Sequence, residues 1–180
     1  MLDVLSDIAD AVEEAIKKIP DSKCRGECIG MGADGTSTSQ IDKIAENTVL
    51  SFLERNKIPL NVLSEEIGFV DNGGEETLVL DPIDGTSNAV AGVPLYTISM
   101  AIGTKSMSDV HTAYLRNLAT GDVITAEKGK GAYKNGSRIH IRKANMKNLF
   151  LMIYMGNGAH PSSFELAKRV KSSRAYGCAS

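Results

Sequence analysis

The chain has 180 residues, 42% of them hydrophobic, which is enough to bury a core within the size range of one domain. Its 20 basic and 22 acidic residues give a formal charge of -2, too little positive charge for the basic surface of a nucleic-acid-binding protein. No stretch has the length and composition of a membrane span or a secretory leader. We therefore expect a soluble, cytoplasmic protein with no nucleic-acid or membrane partner.

Two amphipathic helices are predicted near the N-terminus, on either side of a polar segment. Apolar residues recur every three or four positions over 2–19, where Pro20 ends the first helix, and again over 39–56. The intervening segment 21–38 is rich in glycine and polar residues, which predicts a long loop rather than a strand. Loops of this length inside a compact domain are usually functional or disordered.

Two motifs of this loop resemble functional sites but lack the context that those sites need. Gly30, Gly32 and Gly35 have the G-x-G-x-x-G spacing of a dinucleotide-binding turn, yet a helix and not a strand precedes them. Cys24 and Cys28 belong to a set of only three cysteines, which we interpret as reduced thiols. We interpret the glycines as giving the loop its conformational freedom.

The rest of the chain reads mainly as strands. Short apolar runs at 60–66 and 77–81 each end in acidic residues and predict buried strands, and 96–141 predicts an antiparallel meander with several turns. Residues 149–156 predict another buried strand, a helix begins at Pro161, and 174–180 predict the beginning of a last strand.

Four acidic residues stand where the two predicted buried strands end: Glu65 and Glu66 after the first, and Asp81 and Asp84 at the second. If these strands are neighbours, the carboxylates converge at one edge of the sheet, where their charges repel one another unless cations neutralise them. Carboxylate oxygens suit Mg²⁺, and the backbone carbonyl of Ile83 lies between the two aspartates. The alternative is an ordinary turn at Asp-Pro and Asp-Gly, with Asp84 as its cap.

The residues after Asp84 favour an anion site beside these carboxylates. Gly85, Thr86 and Ser87 offer backbone N–H groups at the predicted start of a short helix, an arrangement typical of phosphate binding.

The string "DPIDGTSN" at 81–88, with "SEE" at 64–66 upstream, closely resembles the motifs of the inositol monophosphatase superfamily, which are lithium-sensitive, magnesium-dependent phosphomonoesterases. The pieces "GADGT", "SEEIG" and "YMGNG" look most like the archaeal enzymes that act on both fructose 1,6-bisphosphate and inositol 1-phosphate. The resemblance covers the whole chain and implies an α/β (α+β) fold, the layered αβαβα sugar-phosphatase sandwich.

The resemblance also implies a role for individual residues. Glu65, Asp81 and the Ile83 carbonyl would hold one metal ion, and Asp81 and Asp84 would share a second, in the two-metal arrangement of phosphoryl transfer. Thr86 would act with Glu65 to position the attacking water. Mg²⁺ is the implied cofactor, with two or three ions bound and Mn²⁺ as a substitute.

Further roles follow from the same resemblance. Asp42 would orient the Thr86 hydroxyl, and Asp34 in the glycine-rich loop is the candidate contact of a third ion. The implied substrate-binding residues are Asp84, Gly85, Thr86, Ser87, Gly177, Cys178 and Ala179.

The chain departs from the family pattern at its C-terminal end. The family carries another metal-binding aspartate in a Trp-Asp motif, and this chain contains no tryptophan. We therefore expect one sugar-phosphatase domain over 1–180 whose C-terminal subdomain is largely absent after 174–180, and a homodimer in the complete protein. A longer chain would then be more stable and more active.

The expected function is a metal-dependent phosphoric monoester hydrolase of carbohydrate metabolism, acting in gluconeogenesis on fructose 1,6-bisphosphate or on inositol 1-phosphate through metal-activated water. Two alternatives stay open. One is a 3′-phosphoadenosine 5′-phosphate phosphatase, and the other is a non-catalytic fragment that binds metal or phosphate.

Overall fold

The computed structural model describes residues 1–20, 22–33, 35, 37–141, 143, 148–153 and 160–178. Its helices are α1 (Leu2–Lys17), α2 (Ser22–Arg25), α3 (Gln40–Arg55), α4 (Thr86–Ala91) and α5 (Pro161–Lys168). Its strands are β1 (Cys28–Met31), β2 (Ser37–Ser39), β3 (Leu60–Ser64), β4 (Gly68–Val70), β5 (Glu76–Asp84), β6 (Thr97–Gly103), β7 (Thr112–Asn117), β8 (Val123–Glu127), β9 (Gly131–Lys134), β10 (Ser137–Ile139), β11 (Phe150–Met152) and β12 (Ser172–Arg174).

An eight-stranded sheet forms the centre of the fold, in the order β10-β9-β8-β7-β6-β5-β3-β4. β3 and β5 run parallel, and the other neighbouring pairs in this sheet are antiparallel. The predicted meander from β6 to β10 is confirmed, and its Asn135-Gly136 turn has positive φ at both residues, as a two-residue hairpin requires. Parallel pairing brings the ends of β3 and β5 to the same edge of the sheet.

The predicted helices over 2–19 and 39–56 are confirmed as α1 and α3, which pack against each other and against one face of the sheet. Along β5, Leu78 and Leu80 are buried and Val79 between them is exposed, so this strand faces the helices on one side only. The fully buried apolar residues of this core include Leu5, Ile8, Val12, Ile41, Val49, Val62, Leu78, Ile98 and Ile102. Their burial is the main stabilising contribution to the fold.

The prediction of a long loop without strands over 21–38 was wrong. α2 begins the segment, and β1 and β2 then pair antiparallel, with Gly30 opposite Thr38. β1 has only four residues and is exposed along its whole length, so it shows no alternation of buried and exposed positions that would reveal a strand. Gly30 lies within this hairpin and not between a strand and a helix, which agrees with setting the dinucleotide motif aside.

The C-terminal predictions were right in part. α5 begins at Pro161 as expected. β11 is short, and its Phe150 and Met152 are about half exposed, so the prediction of a buried strand there was wrong for the described residues. The last strand was also misplaced: β12 ends at Arg174, and Ala175–Cys178 are not in a strand. β12 pairs parallel with β11 in a separate small sheet, and parallel pairing needs the intervening α5 as its crossover.

The mixed α/β architecture predicted from the sequence is confirmed. A helix pair, the eight-stranded sheet and a small second sheet with its own helix are present as layers of the expected sandwich. Among the residues that the structure describes, no helix has both the length and the apolarity to cross a membrane.

Candidate metal and phosphate site

The four predicted acidic residues lie at one edge of the sheet, because β3 and β5 are parallel neighbours. β3 ends at Ser64, so Glu65 and Glu66 stand in the turn after the strand and not at its last positions. Asp81 and Asp84 both belong to β5, where the pairing with β6 shifts register between them. This bulge changes the alternation of side chains, so residues three apart need not point to opposite faces.

Asp81 lies in a strongly perturbed electrostatic environment. Burial, the charges of Glu65 and Asp84, and the nearby Glu65 carboxyl group together raise its pKa to about 8. Its Oδ1 atom is buried and has no hydrogen-bond partner among the described groups. A buried oxygen of this kind is costly unless a proton or a cation compensates it.

These residues fit a divalent cation. In the described part of the chain, no three Asp, Glu, His or Cys side chains are grouped as a formed metal site, but Glu65 lies close enough to Asp81 to raise its pKa. Two carboxyl groups this close repel each other unless a proton or a cation lies between them. Hard oxygen ligands of this kind suit Mg²⁺.

Asp42 and Thr86 are joined by a direct hydrogen bond. Asp42 is buried in the first turn of α3, where its Oδ2 accepts from the Ser39 backbone N–H at 3.1 Å and from the Ser39 hydroxyl at 2.7 Å. Its Oδ1 accepts from Thr86 Oγ1 at 2.8 Å, and the Ile83 carbonyl lies 3.0 Å from the same hydroxyl. Since a hydroxyl has one hydrogen and two lone pairs, Thr86 can still accept a hydrogen bond from water.

Gly85 allows the chain to turn from β5 into α4. Its φ is +92°, and a Cβ there would come within 2.8 Å of the Leu95 carbonyl oxygen, so a side chain does not fit. The first helical bond, from Ala89 N–H to the Gly85 carbonyl at 3.0 Å, leaves the preceding amides outside the helical ladder. Ser87 follows on an exposed position of α4.

The C-terminal segment reaches this turn. Asn88 of α4 donates from Nδ2 to the Leu95 carbonyl at 2.7 Å and to the Tyr176 carbonyl at 2.6 Å. Cys178 Sγ lies 3.5 Å from the Asp84 carbonyl, and Gly177 lies between these two contacts. The structure thus brings two of the three predicted C-terminal substrate residues to the Asp84–Gly85 turn.

Two predicted residues, Ala179 and Asp34, lie outside the described residues. The rest of the glycine-rich segment contacts the turn that carries Glu65. Thr38 Oγ1 donates to Glu66 Oε2, and the Ala33 N–H donates to the Glu66 carbonyl at 2.8 Å. Burial raises the pKa of Glu66, partly offset by the Thr38 hydrogen bond. Glu66 therefore joins the β1–β2 hairpin to the site.

Sequence reasoning missed Glu46 and Asn88. Glu46 is completely buried on α3 and hydrogen-bonded to the turn after β3. A signal was available, because Glu46 occupies a position of the apolar stripe that also contains Val49 and Leu53. No comparable signal marks Asn88, whose partner Tyr176 is far away in sequence.

A model of the inositol monophosphatase family matches residues 2–179. The chain belongs to this family. The match covers both acidic segments and the α4 turn described above. The resemblance read from "DPIDGTSN" and "SEE" is confirmed.

Individual relatives agree with the family assignment. The fructose-1,6-bisphosphatase/inositol-1-monophosphatase of Methanothermobacter thermautotrophicus is 38% identical over 73% of this chain and 51% of its own. The bifunctional NADP phosphatase/NAD kinase of Methanococcus maripaludis is 35% identical over 97% of this chain and 34% of its own. The chain thus spans about half of the first relative and about a third of the second.

A solved structure shows the same fold. The crystal structure of an inositol monophosphatase-fructose 1,6 bisphosphatase superposes with a TM-score of 0.83 and 28% identity, covering 98% of this chain and 68% of that one. The predicted sugar-phosphatase fold is therefore confirmed for this chain.

Proposed function

We propose that the protein is a Mg²⁺-dependent phosphomonoesterase of the inositol monophosphatase family, acting on fructose 1,6-bisphosphate, inositol 1-phosphate or both. The observation that carries this proposal is the Asp42–Thr86 hydrogen bond beside the Glu65–Asp81 carboxyl pair. The Asp42–Thr86 pair can orient water, and the Glu65–Asp81 pair can hold a cation. A metal-assisted phosphatase requires both.

The metal ligands in this proposal are Glu65, Asp81, Asp84 and the Ile83 carbonyl. Asp81 contributes a buried oxygen without a hydrogen-bond partner among the described residues, and negative charges surround it. When bound, Mg²⁺ would neutralise this charge, lower the pKa of a nearby water and polarise the phosphate ester. Mn²⁺ would serve as a substitute because it also prefers oxygen ligands.

The remaining steps belong to the chain's own residues. Thr86 Oγ1 donates to Asp42, so its lone pairs are directed by that bond and can hold the attacking water. Glu65 accepts the proton of this water as its oxygen bonds to phosphorus and the ester bond breaks, and the departing ester oxygen takes up a proton from solvent. The Gly85 and Thr86 amides and Ser87 bind the phosphate oxygens, while Gly177 and Cys178 contact the rest of the substrate. No covalent intermediate is required.

A second substrate class is a nucleotide 2′-phosphate. The Methanococcus maripaludis relative that covers 97% of this chain is an NADP phosphatase joined to an NAD kinase. NADP carries a phosphomonoester on a ribose hydroxyl, which the same metal and amide groups would hydrolyse. The related 3′-phosphoadenosine 5′-phosphate and the absence of catalysis remain predicted alternatives.

Phosphate release by the purified chain tests the proposal. With Mg²⁺, the chain is offered inositol 1-phosphate, fructose 1,6-bisphosphate, NADP and 3′-phosphoadenosine 5′-phosphate, with Asp81→Asn as the matched control. We expect release from at least one of the first two substrates and none from the variant. Preference for NADP would replace the proposed substrate, and a folded chain that releases no phosphate from any of the four would contradict the proposed activity.

Homodimerisation and a cytoplasmic location also remain proposals for the complete protein. Sedimentation equilibrium of a chain that includes the relatives' C-terminal length would test the first of these.

A further inference from the structure

Glu46 is a buried acidic residue whose hydrogen-bond donors flank the turn that carries Glu65. Its side chain is on α3, one helical turn after Asp42, with no solvent exposure. Oε1 accepts from Ser64 Oγ at 2.7 Å and from the Ile67 backbone N–H at 3.0 Å. Because Ser64 precedes Glu65 and Ile67 follows Glu66, Glu46 holds both ends of the turn.

The stability of the helix packing does not explain an acid at this position. Val49 and Leu53 continue the same buried stripe of α3 with apolar side chains. A buried carboxylate requires strong compensating donors, and an apolar residue of similar volume is often equally stable. The third partner, Lys43 Nζ at 3.4 Å from Oε2, is itself 42% exposed and contributes little. The two hydrogen bonds to the turn are therefore the best reason for an acid at position 46.

The turn between these two contacts carries Glu65. Glu65 is exposed, and its neighbour Glu66 is held by Thr38 and by its backbone N–H, which lies 3.4 Å from Ser64 Oγ. Ser64 is buried and thus links Glu46 to both the strand end and the turn. Through its hydrogen bonds to Ser64 and Ile67, Glu46 connects the turn to the buried face of α3.

We propose that Glu46 is a positioning residue: it sets the Glu65 carboxylate opposite Asp81, through Ser64 and Ile67, without contacting the cation. The inference rests on the proposed function insofar as Glu65 and Asp81 bind a divalent metal. Asp42 and Glu46 are four residues apart and share one face of α3, so this helix would position both Thr86 and the Glu65 turn.

Mn²⁺ affinity tests the inference independently of catalysis. Free Mn²⁺ is measured by electron paramagnetic resonance during titration of the wild type and of Glu46→Asp, Glu46→Ala and Glu46→Gln. Asp keeps the charge but is one methylene too short to reach both donors, and we expect its dissociation constant to rise about tenfold, as for Ala. Gln keeps an acceptor oxygen at the same length, so its affinity should stay within about threefold of the wild type.

Val49→Ala is the matched control, because it truncates a buried residue of the same helix away from the turn. We expect it to lower stability while leaving Mn²⁺ affinity within about threefold of the wild type. Unchanged affinity in folded Glu46→Asp, or equal weakening in Val49→Ala, would overturn the inference. Should Glu46→Ala not fold, the Asp and Gln pair decides alone.

The outcomes separate this inference from the proposed function. Wild-type Mn²⁺ binding without phosphate release overturns the proposed activity and leaves the Glu46 test valid. A folded wild-type chain that binds no Mn²⁺ overturns both.

Discussion

The region from α1 to β8 and the region after β10 support the site in different ways. All the buried residues of the described chain lie at or before Leu118, and none lies among the described residues after it. Asp42, Asp81 and Thr86 belong to the first region, whereas Gly177 and Cys178 belong to the second. The proposed metal ligands are thus anchored in a core, whereas the proposed substrate contacts at Gly177 and Cys178 depend on a few hydrogen bonds such as Asn88 to Tyr176.

From this difference we expect one half of the site to be stiff and the other to adapt. Groups fixed by a buried core are held with little freedom, which a cation and an attacking water require. A segment held by few hydrogen bonds can change position between related proteins, which suits substrate selection. Four predictions test the contrast, in order of decreasing expected effect.

The largest difference between the two regions should be in how much a substitution lowers the free energy of unfolding. Ile98→Ala removes a fully buried side chain of β6, and we expect it to lower the free energy of unfolding by about 2–5 kcal/mol. Phe164→Ala removes an aromatic ring of α5 that is 47% exposed, and should cost less than about 1 kcal/mol. Urea denaturation measures both. Equal costs would contradict the contrast between the two regions.

Thr86→Ala should impair turnover more than substrate binding. The change removes the hydroxyl that Asp42 orients but leaves the backbone amide, so we expect kcat to fall about 100-fold with little change in KM. Thr86→Ser keeps the hydroxyl and serves as the control, with most of kcat retained. Steady-state kinetics that show a rise in KM alone would remove Thr86 from the chemical step.

We expect Asp81 to make the stability of the metal-free protein depend on pH. Its pKa is raised to about 8 in the folded chain, so between the unfolded value of 3.8 and about 8 the folded state binds more protons. The stabilising contribution of the protonated group is complete below this window and is lost as pH rises through it, with a slope of at most about 1.4 kcal/mol per pH unit.

Urea denaturation in a chelator, from pH 5 to 9, measures this slope. Asp81→Asn cannot titrate and should flatten it, and added Mg²⁺ should restore stability at high pH. A wild-type slope no steeper than that of the variant would contradict the raised pKa.

The smallest effect should come from the link between the regions. Asn88→Ala removes the donor to the Leu95 and Tyr176 carbonyls, so amide hydrogen exchange at Tyr176–Cys178 should become about tenfold faster. Asn56→Ala removes a similar amide bond, to the Phe52 carbonyl at the end of α3, and is the control. Unchanged exchange in Asn88→Ala would mean that other contacts hold the segment.

Much of the fold was predictable because its signals are local. Helical spacing predicted α1 and α3, and the two apolar runs that end in acidic residues predicted β3 and β5. The β1–β2 hairpin was missed because β1 is short and exposed and β2 is short and polar, so backbone pairing and the Thr38–Glu66 contact stabilise it without the pattern of a buried strand. The last strand was predicted too late in the chain. The described residues after Arg174 contain a glycine after Tyr176 and are held by the Asn88 contact, and they do not pair as a strand.

The candidate site was predictable only where its residues are close together in the sequence. Asp81, Asp84 and Thr86 stand close in sequence, so one motif identifies them together. Glu46 and Asn88 act on residues 18 and 88 positions away, respectively, and such pairings depend on tertiary packing that the sequence does not display.

The central claim is that Glu65, Asp81 and Asp84 form a divalent-cation site, and calorimetric titration of Mg²⁺ tests it most directly. The wild type and Asp81→Asn are titrated side by side at pH 7.5, with folding checked by circular dichroism. We predict saturable binding by the wild type and at least about 30-fold weaker binding by the variant, since Asn lacks the charge of a carboxylate ligand. Equal affinities in two folded proteins would contradict the claim.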